Sequence, residues 1–389
     1  MEARSTRRLR RVIRLTAVVG VTALAVAACG PENKQNSLRP KGPSAIKIDD
    51  LFRWPLAISI VVGIAVLTAV VVVAIKFRSK DGQENVKQVH GNTTLEITWT
   101  IIPAVILVIL AIPTALLIKD LAQVESNALP VTAVGKQWWW EFVYPSPDTK
   151  PQVVTSTELH IPIGRQVVVN ATACDYDAKG KIVDGTCNVI HSFWVPELAG
   201  KADAVPGREH LVTIQADEPG TYLGQCAEYC GLSHANMRFR VIAQTQADYD
   251  AWLANQHKGP VTPVVTADGK AAGGKGSPQD LIVNKFQCVN CHTFESTETT
   301  NYGPNLTHFA SRSTMAGGTE KVNQTDVQNW VHDAPGIIPM ESEGCRFPPP
   351  ATCVGMPNFS RHVVYKGVDY PGMTKAEAAT IAEFLLTLK

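Results

Sequence analysis

The sequence predicts three architectures in series: a two-helix transmembrane hairpin, an all-β sandwich and an all-α domain, preceded by an export signal. Three observations carry this. Two uncharged apolar runs, Trp54–Ile75 and Ile97–Ile118, are each 22 residues long, enough at ~1.5 Å rise per residue to cross a bilayer core. The stretch after them mixes β-branched residues with glycine and proline turn signals. The C-terminal part returns to helical spacing.

Residues 1–28 read as a signal peptide. Six arginines lie between Arg4 and Arg14, and an uncharged apolar run follows from Leu15 to Ala28, short for a span. Val26-Ala27-Ala28-Cys29-Gly30 resembles a bacterial lipobox, which makes Cys29 the expected lipidation site; an ordinary signal peptide cut after Ala28 is the alternative. Residues 29–50 form an extracytoplasmic leader, and 51–121 the hairpin. Pro103 and Pro113 fall inside the second span, where membrane helices tolerate them. Lys76, Arg78 and Lys80 follow the first span, so the 76–96 loop is cytoplasmic by the positive-inside rule.

Residues 122–255 form the sandwich. Leu159–Ile163, Gln166–Ala171 and His210–Gln215 are strand candidates, with turns at Gly164, Gly180, Gly185 and Pro219-Gly220. Residues 256–280, with Lys258-Gly259-Pro260 and Gly273-Gly274-Lys275-Gly276-Ser277-Pro278, read as a flexible linker. In 281–389, Ala376, Ala379, Ala382, Phe384 and Leu388 predict a helix over Lys375–Leu388.

A formal charge of +1 and the lack of any basic aromatic cluster argue against nucleic acid as a partner. The nine cysteines sort by position. In an oxidising compartment Cys174, Cys187, Cys345 and Cys353 are disulfide candidates, taken as Cys174–Cys187 and Cys345–Cys353, with reduced buried thiols as the alternative.

The chemistry concentrates in residues 226–237. Cys226 and Cys230 offer thiolates, His234 an imidazole and Met237 a thioether, with His191 upstream. A thioether suits copper and not zinc, and a second thiolate allows two copper ions to be bridged. Zinc and a Cys226–Cys230 disulfide are the competing readings.

Gly224-Gln225-Cys226-Ala227-Glu228-Tyr229-Cys230-Gly231, together with His191-Ser192-Phe193-Trp194-Val195-Pro196, resembles subunit II of haem–copper cytochrome c oxidases. The resemblance implies a cupredoxin fold for the sandwich and a dinuclear copper centre, CuA. Its ligands would be His191, Cys226, the Glu228 backbone carbonyl, Cys230, His234 and Met237. The Glu228 carboxylate would face a magnesium ion shared with subunit I.

Cys288-Val289-Asn290-Cys291-His292 is the c-type haem attachment motif. Two thioether bonds would hold the haem, with His292 as an axial ligand. A thioredoxin-like or zinc pair is opposed by the histidine and by export. Gly303-Pro304-Asn305-Leu306 and Gly355-Met356-Pro357-Asn358-Phe359 make 281–389 resemble a class I cytochrome c domain, with Met356 as sixth ligand and Met340 as runner-up.

Gln137-Trp138-Trp139-Trp140 also matches the oxidase subunit. The resemblance makes Trp138 the surface aromatic through which electrons enter CuA, while Trp139 and Trp140 read as packing residues. Glu96, in Leu95-Glu96-Ile97-Thr98-Trp99-Thr100, would sit at the mouth of a proton channel into subunit I. The 201–208 loop, Lys201 to Arg208, would face subunit I.

The chain thus reads as the electron-accepting subunit of a haem–copper oxidase with a fused cytochrome c domain. It would relay electrons from haem c to CuA and on to haem a in subunit I, where oxygen is reduced and protons are moved. Subunit I, subunit III, and a quinol–cytochrome c reductase or small cytochrome c are the implied partners. A CuA-containing nitric oxide reductase subunit and a free-standing copper or haem carrier lipoprotein are the alternatives. Ten scattered histidines do not suit the cluster of a nitrous oxide reductase.

Overall fold

The computed structural model describes residues 20, 34–78, 91–145, 152–175, 182–183, 185–294, 302–341, 354–365 and 368–389. Cys29 with nearly all of the export segment, and the pair Cys345 and Cys353, lie outside these residues.

Helices α1 (Pro43–Lys76) and α2 (Thr93–Leu121) contain the two apolar runs. Large side chains all round them are exposed, Val61, Leu67 and Val71 on α1 and Ile102, Leu107 and Val108 on α2. Helices apolar on every face have no stripe to bury against a core, the pattern of a lipid-facing span. Helix α1 begins well before Trp54, and its first turns belong to the sandwich. There the Lys41 N–H donates to the Glu197 carbonyl at 2.7 Å and the Ala45 N–H to that of Leu198 at 3.2 Å. Asp49 is buried and held by Arg53 at 2.7 Å. Lys47 meets Asp120 at 2.7 Å, tying the N-terminal part of α1 to the C-terminal end of α2. The sandwich therefore stands directly on the hairpin.

Ten strands make the sandwich: β1 (Leu129–Lys136), β2 (Trp139–Tyr144), β3 (Val153–Ser156), β4 (Glu158–Pro162), β5 (Val167–Thr172), β6 (His191–Trp194), β7 (Ala202–Ala204), β8 (His210–Ile214), β9 (Gly220–Cys226) and β10 (Arg238–Gln244). One sheet runs β3-β2-β1-β5-β8 and the other β4-β10-β9-β6-β7. The β1–β5 and β4–β10 pairs are parallel and the other pairs antiparallel. Val131, Ala133, Phe142, Leu159, Ile161, Val169, Phe193 and Val241 fill the space between the sheets. Trp140 is fully buried there, edge-on to His191, Phe193 and Phe239 with centroids 6.0, 5.8 and 5.7 Å away.

Two segments differ from the sequence reading. The sandwich ends in a helix, α3 (Gln246–Gln256), capped by the Thr245 side chain. It lays Trp252 flat on His160 at 4.2 Å and Tyr249 into the core. The expected flexible linker over 256–280 is largely exposed but is anchored at Val264. Val264 is buried in the C-terminal core, and a tight turn closes the Thr266 N–H on the Lys270 carbonyl at 2.8 Å. Gly269, at φ 77°, supplies the left-handed residue that turn needs.

The C-terminal region packs α4 (Gln324–Ile337) against α5 (Lys375–Leu385) around Ile282, Phe286, Phe309, Val327, Val331 and Ile381. A capping box between Thr374 and Glu377 starts α5. The region is not wholly helical. A short ribbon, β11 (Thr314–Met315) with β12 (Glu320–Lys321), precedes α4, and a second, β13 (Val363–Tyr365) with β14 (Val368–Tyr370), lies between α4 and α5.

Candidate metal centre and adjoining cavity

His191 opens β6 and Cys226 closes β9, which are hydrogen-bonded neighbours, so the sheet itself brings them together. The loop after β9 then folds back over them. His191 Nδ1 is 3.8 Å from Cys226 Sγ, the two sulfurs are 3.8 Å apart, and Cys230 Sγ is 3.6 Å from His234 Nδ1 and 3.7 Å from Met237 Sδ. The Glu228 carbonyl accepts from Cys226 Sγ at 3.2 Å. His191, Cys226, Cys230 and Met237 are all buried.

This set fits copper. A sulfur separation of 3.8 Å is far beyond the ~2.03 Å of a disulfide bond, which removes that alternative. Two soft sulfurs flanked by two imidazoles, a thioether and a carbonyl form a copper donor set, with more and softer ligands than tetrahedral zinc takes. The hydrogen bond from Cys230 lowers the pKa of Cys226 against the opposing effect of burial, and the Cys230 thiol is pushed up in turn.

The ring of His191 is aimed by Asn188. Its Nε2 lies 2.7 Å from Asn188 Oδ1, while Asn188 Nδ2 donates to the Gly135 and Ala173 carbonyls at 3.0 and 3.2 Å. Those donations fix the amide so that its oxygen faces the histidine. His191 Nε2 then carries the proton, and the Nδ1 lone pair faces the sulfurs. Gly135 allows the ring its place, because a Cβ there would stand 2.7 Å from His191 Cδ2.

Beside this loop lies a cavity of about 590 Å³ walled by both the sandwich and the C-terminal region. Cys288, Cys291, His292 and Met356 line it from one side, and Trp138, Trp139 and Asn188 from the other. His292 Nδ1 donates to the Pro304 carbonyl at 2.8 Å, leaving Nε2 for a ligand, and burial keeps the imidazole neutral by lowering its pKa. Burial pushes the Cys288 and Cys291 thiols up to about 12. An oxidoreductase Cys-x-x-Cys pair is the opposite, with a depressed thiol. Met340 Sδ accepts from the Met356 N–H at 3.3 Å, and Met340 packs on the sandwich core, whereas Met356 packs on the C-terminal core. These residues suit a covalently held haem, with Met356 the freer of the two thioethers.

Comparison with known proteins decides the family. Residues 129–244 match the model described as Cytochrome C oxidase subunit II, periplasmic domain, and residues 35–117 match the transmembrane domain of the same subunit. Cytochrome c oxidase subunit 2 of Alkalihalophilus pseudofirmus is 34% identical over 317 residues, 80% of this chain and 85% of that protein. The subunit 2 of Bacillus sp. PS3 is 32% identical over 349 residues, 84% and 90% of the two chains. The chain belongs to the cytochrome c oxidase subunit II family. Among solved structures, the periplasmic domain of subunit II from Bradyrhizobium japonicum is 26% identical, covers 34% of this chain and 96% of its own, and has a TM-score of 0.29.

As a subunit II, the protein is a two-pass membrane component of an oxidase complex, its sandwich is cupredoxin-like, and its copper site is of the CuA type. The other sequence-predicted residues fall in three places. Trp138 sits on the loop between β1 and β2, and its Nε1–H donates to the Cys230 carbonyl at 3.0 Å; Gln137 Nε2 donates to the same oxygen at 2.8 Å. The expectation is a surface aromatic, but Trp138 is only 7% exposed: its indole lies against the Cys230–Gly231 loop and on the cavity wall, and the Gly317 turn of the C-terminal region sits on its backbone carbonyl. Glu96 is exposed near the start of α2, where Oε1 accepts from the Asn92 N–H at 3.2 Å and Asn92 Oδ1 accepts from the Leu95 N–H at 3.1 Å. The carboxylate thus also caps the helix. Lys201 holds Asp203 at 2.9 Å and approaches the Glu228 carboxylate at 4.0 Å, so an ammonium already faces the oxygens assigned to magnesium.

Cys174 and Cys187 form a disulfide that clamps the loop leading to Asn188. Sequence alone carries no sign of the roles of Asn188 and Glu158, and marks Gln137 only as part of the Gln137–Trp140 run. Asn188 stands three residues before His191, a spacing with no signature of its own.

Proposed function

We propose that this subunit II relays electrons within a haem–copper oxidase, from a covalent haem c in its C-terminal region to CuA and on to haem a in subunit I, where oxygen is reduced to water and protons are translocated. One observation carries the reading. Trp138 bridges the two candidate sites, lining the cavity of Cys288, Cys291 and His292 while its indole N–H holds the Cys230 carbonyl.

Bound, the two groups would supply one-electron chemistry: a haem iron in the cavity and a pair of coppers sharing one electron at the loop. The residues do the rest. Cys288 and Cys291 would anchor the haem, with His292 and Met356 on its iron. His191, Cys226, Cys230, His234, Met237 and the Glu228 carbonyl would hold copper. The rigid sheets behind His191 and Cys226 would keep ligand positions constant between redox states, and Trp140 would exclude water from the back of the site. Glu96 at the membrane edge serves proton uptake in this reading, and the Glu228 carboxylate serves magnesium.

The positive charges after α1 support a cytoplasmic 76–96 loop and hence an extracytoplasmic copper domain, anchored also through Cys29. A class I cytochrome c fold for 281–389 is supported by the attachment motif, the cavity and the α4–α5 pair. Subunits I and III are the integral partners in this reading, with a quinol–cytochrome c reductase or small cytochrome c as donor.

The test is purification of the complex from membranes. The reading requires covalent haem c and CuA on this chain, comigration with a haem a subunit, and oxygen consumption with reduced cytochrome c. A chain with copper but no covalent haem would remove the relay. Comigration without haem a, or turnover of nitric oxide in place of oxygen, would remove the oxidase.

A further inference from the structure

The contact between the C-terminal region and the sandwich is organised around a buried carboxylate. Glu158, on β4, is 3% exposed. Its Oε1 accepts from the Ser313 N–H at 2.9 Å and the Ser313 hydroxyl, and from the Thr314 N–H and hydroxyl at 3.2 and 3.3 Å. Arg240 is the register partner of Glu158 on β10, and its Nη1 donates to Thr314 Oγ1 at 2.6 Å and the Gly318 carbonyl at 3.0 Å. Arg312 reaches the other way, donating to Ser156 Oγ at 2.6 Å.

These grips seat one loop on Trp138. At Gly317 a Cβ would stand 2.5 Å from the Asn236 carbonyl oxygen and 2.9 Å from that of Trp138, and its φ is +63°. Only glycine permits so close an approach in that conformation. Ser233, fully buried, closes the contact by donating to the Pro339 carbonyl.

A carboxylate removed from water is costly unless donors replace the water. Here, among the described residues, every hydrogen-bond donor within 3.5 Å comes from the C-terminal region, while the sandwich places His160 Nε2 at 3.8 Å from Oε2, and Arg240 and Arg312 are the cations nearby. Burial opposes its ionisation, yet the nearby His160 imidazole and the hydrogen bonds from Ser313 hold the Glu158 carboxyl below its usual range. The site is built for the docked arrangement.

We propose that Glu158 is a positioning residue: it latches the C-terminal region onto the Trp138 face, so that this region serves the copper loop as a fixed partner and not as a swinging tether. The proposal rests on the relay reading for its purpose. Its consequence is that Trp138 is closed to an external donor, which must deliver electrons to the C-terminal region instead.

The experiment uses the purified complex carrying wild type, Glu158→Ala, Glu158→Gln or Arg240→Ala. Hydrogen exchange is followed at residues 309–319, and flash-induced electron transfer from haem c to copper is timed with increasing glycerol. In wild type the Ser313 and Thr314 amides are protected and the transfer does not depend on viscosity. In Glu158→Ala, exchange there rises about tenfold or more, the size expected for lost hydrogen bonds to a charged acceptor. Transfer becomes slower and viscosity-dependent, while copper resonance and haem absorbance stay unchanged. Glu158→Gln, which keeps one acceptor oxygen, falls between, and Arg240→Ala behaves like Glu158→Ala. Wild-type protection and viscosity-independent transfer in Glu158→Ala would overturn the latch. The exchange measurement needs no electron transfer, so a chain that lacks haem would sink the relay and still decide the latch.

Discussion

Asn188→Ala tests how the copper loop is aimed. The substitution removes the acceptor for His191 Nε2–H at 2.7 Å and both donations that fix the amide, to Gly135 and Ala173 at 3.0 and 3.2 Å. Each of these part-buried neutral hydrogen bonds contributes roughly 0.5–1.5 kcal/mol net, so the three together are worth at most about 1.5–4.5 kcal/mol. Part of that falls on local stability and part on the metal. Loss of a hydrogen-bond partner behind a ligating histidine typically costs about 10–100-fold in affinity. The assay is copper retained per complex across a series of competing chelator concentrations, read with the copper resonance. Asn188→Ala should release copper at about 10–100-fold lower chelator strength and change the histidine hyperfine coupling. Wild-type retention with an unchanged spectrum would show that the ring is aimed by its packing against Trp140 alone, and the hydrogen-bond argument would fall.

Met356→Ala should abolish the far-red methionine-to-iron absorption band and leave haem attached; loss of the band in Met340→Ala instead would reverse the ligand assignment. Replacing both Cys174 and Cys187 by serine opens a loop of sequence separation 13, which should cost about 3 kcal/mol; a calorimetric melting temperature equal to wild type would contradict this. Glu96→Ala should slow oxygen turnover with unchanged copper and haem, whereas normal turnover would leave Glu96 with its helix cap only.

The hairpin was legible because lipid-facing helices need no periodicity, only length and lack of charge. The upstream start of α1 was not, since Lys41 and Ala45 bond to backbone carbonyls of a distant loop that no local pattern marks. Residues 226–237 were legible because metal ligands must come from a few side-chain types at close spacing. Asn188 and Glu158 act through contacts made only once the strands are paired, so their types and positions carry no signal. The segment over 256–280 misled for a related reason. Its glycines and prolines are those of a flexible chain, but Val264 finds a core to enter. Helix α3 was readable in principle, from the Thr245-x-x-Asp248 cap and the spacing of Tyr249, Trp252 and Leu253, and was passed over inside a β-rich stretch.

The central claim is that Trp138 couples the cavity of Cys288, Cys291 and His292 to the copper loop. It is tested most directly by timing electron transfer from photoreduced haem c to copper in the intact complex, comparing wild type with Trp138→Leu. Transfer should be slower in the variant while copper resonance and haem absorbance keep their wild-type amplitudes. An unchanged rate, with both centres intact, would contradict it.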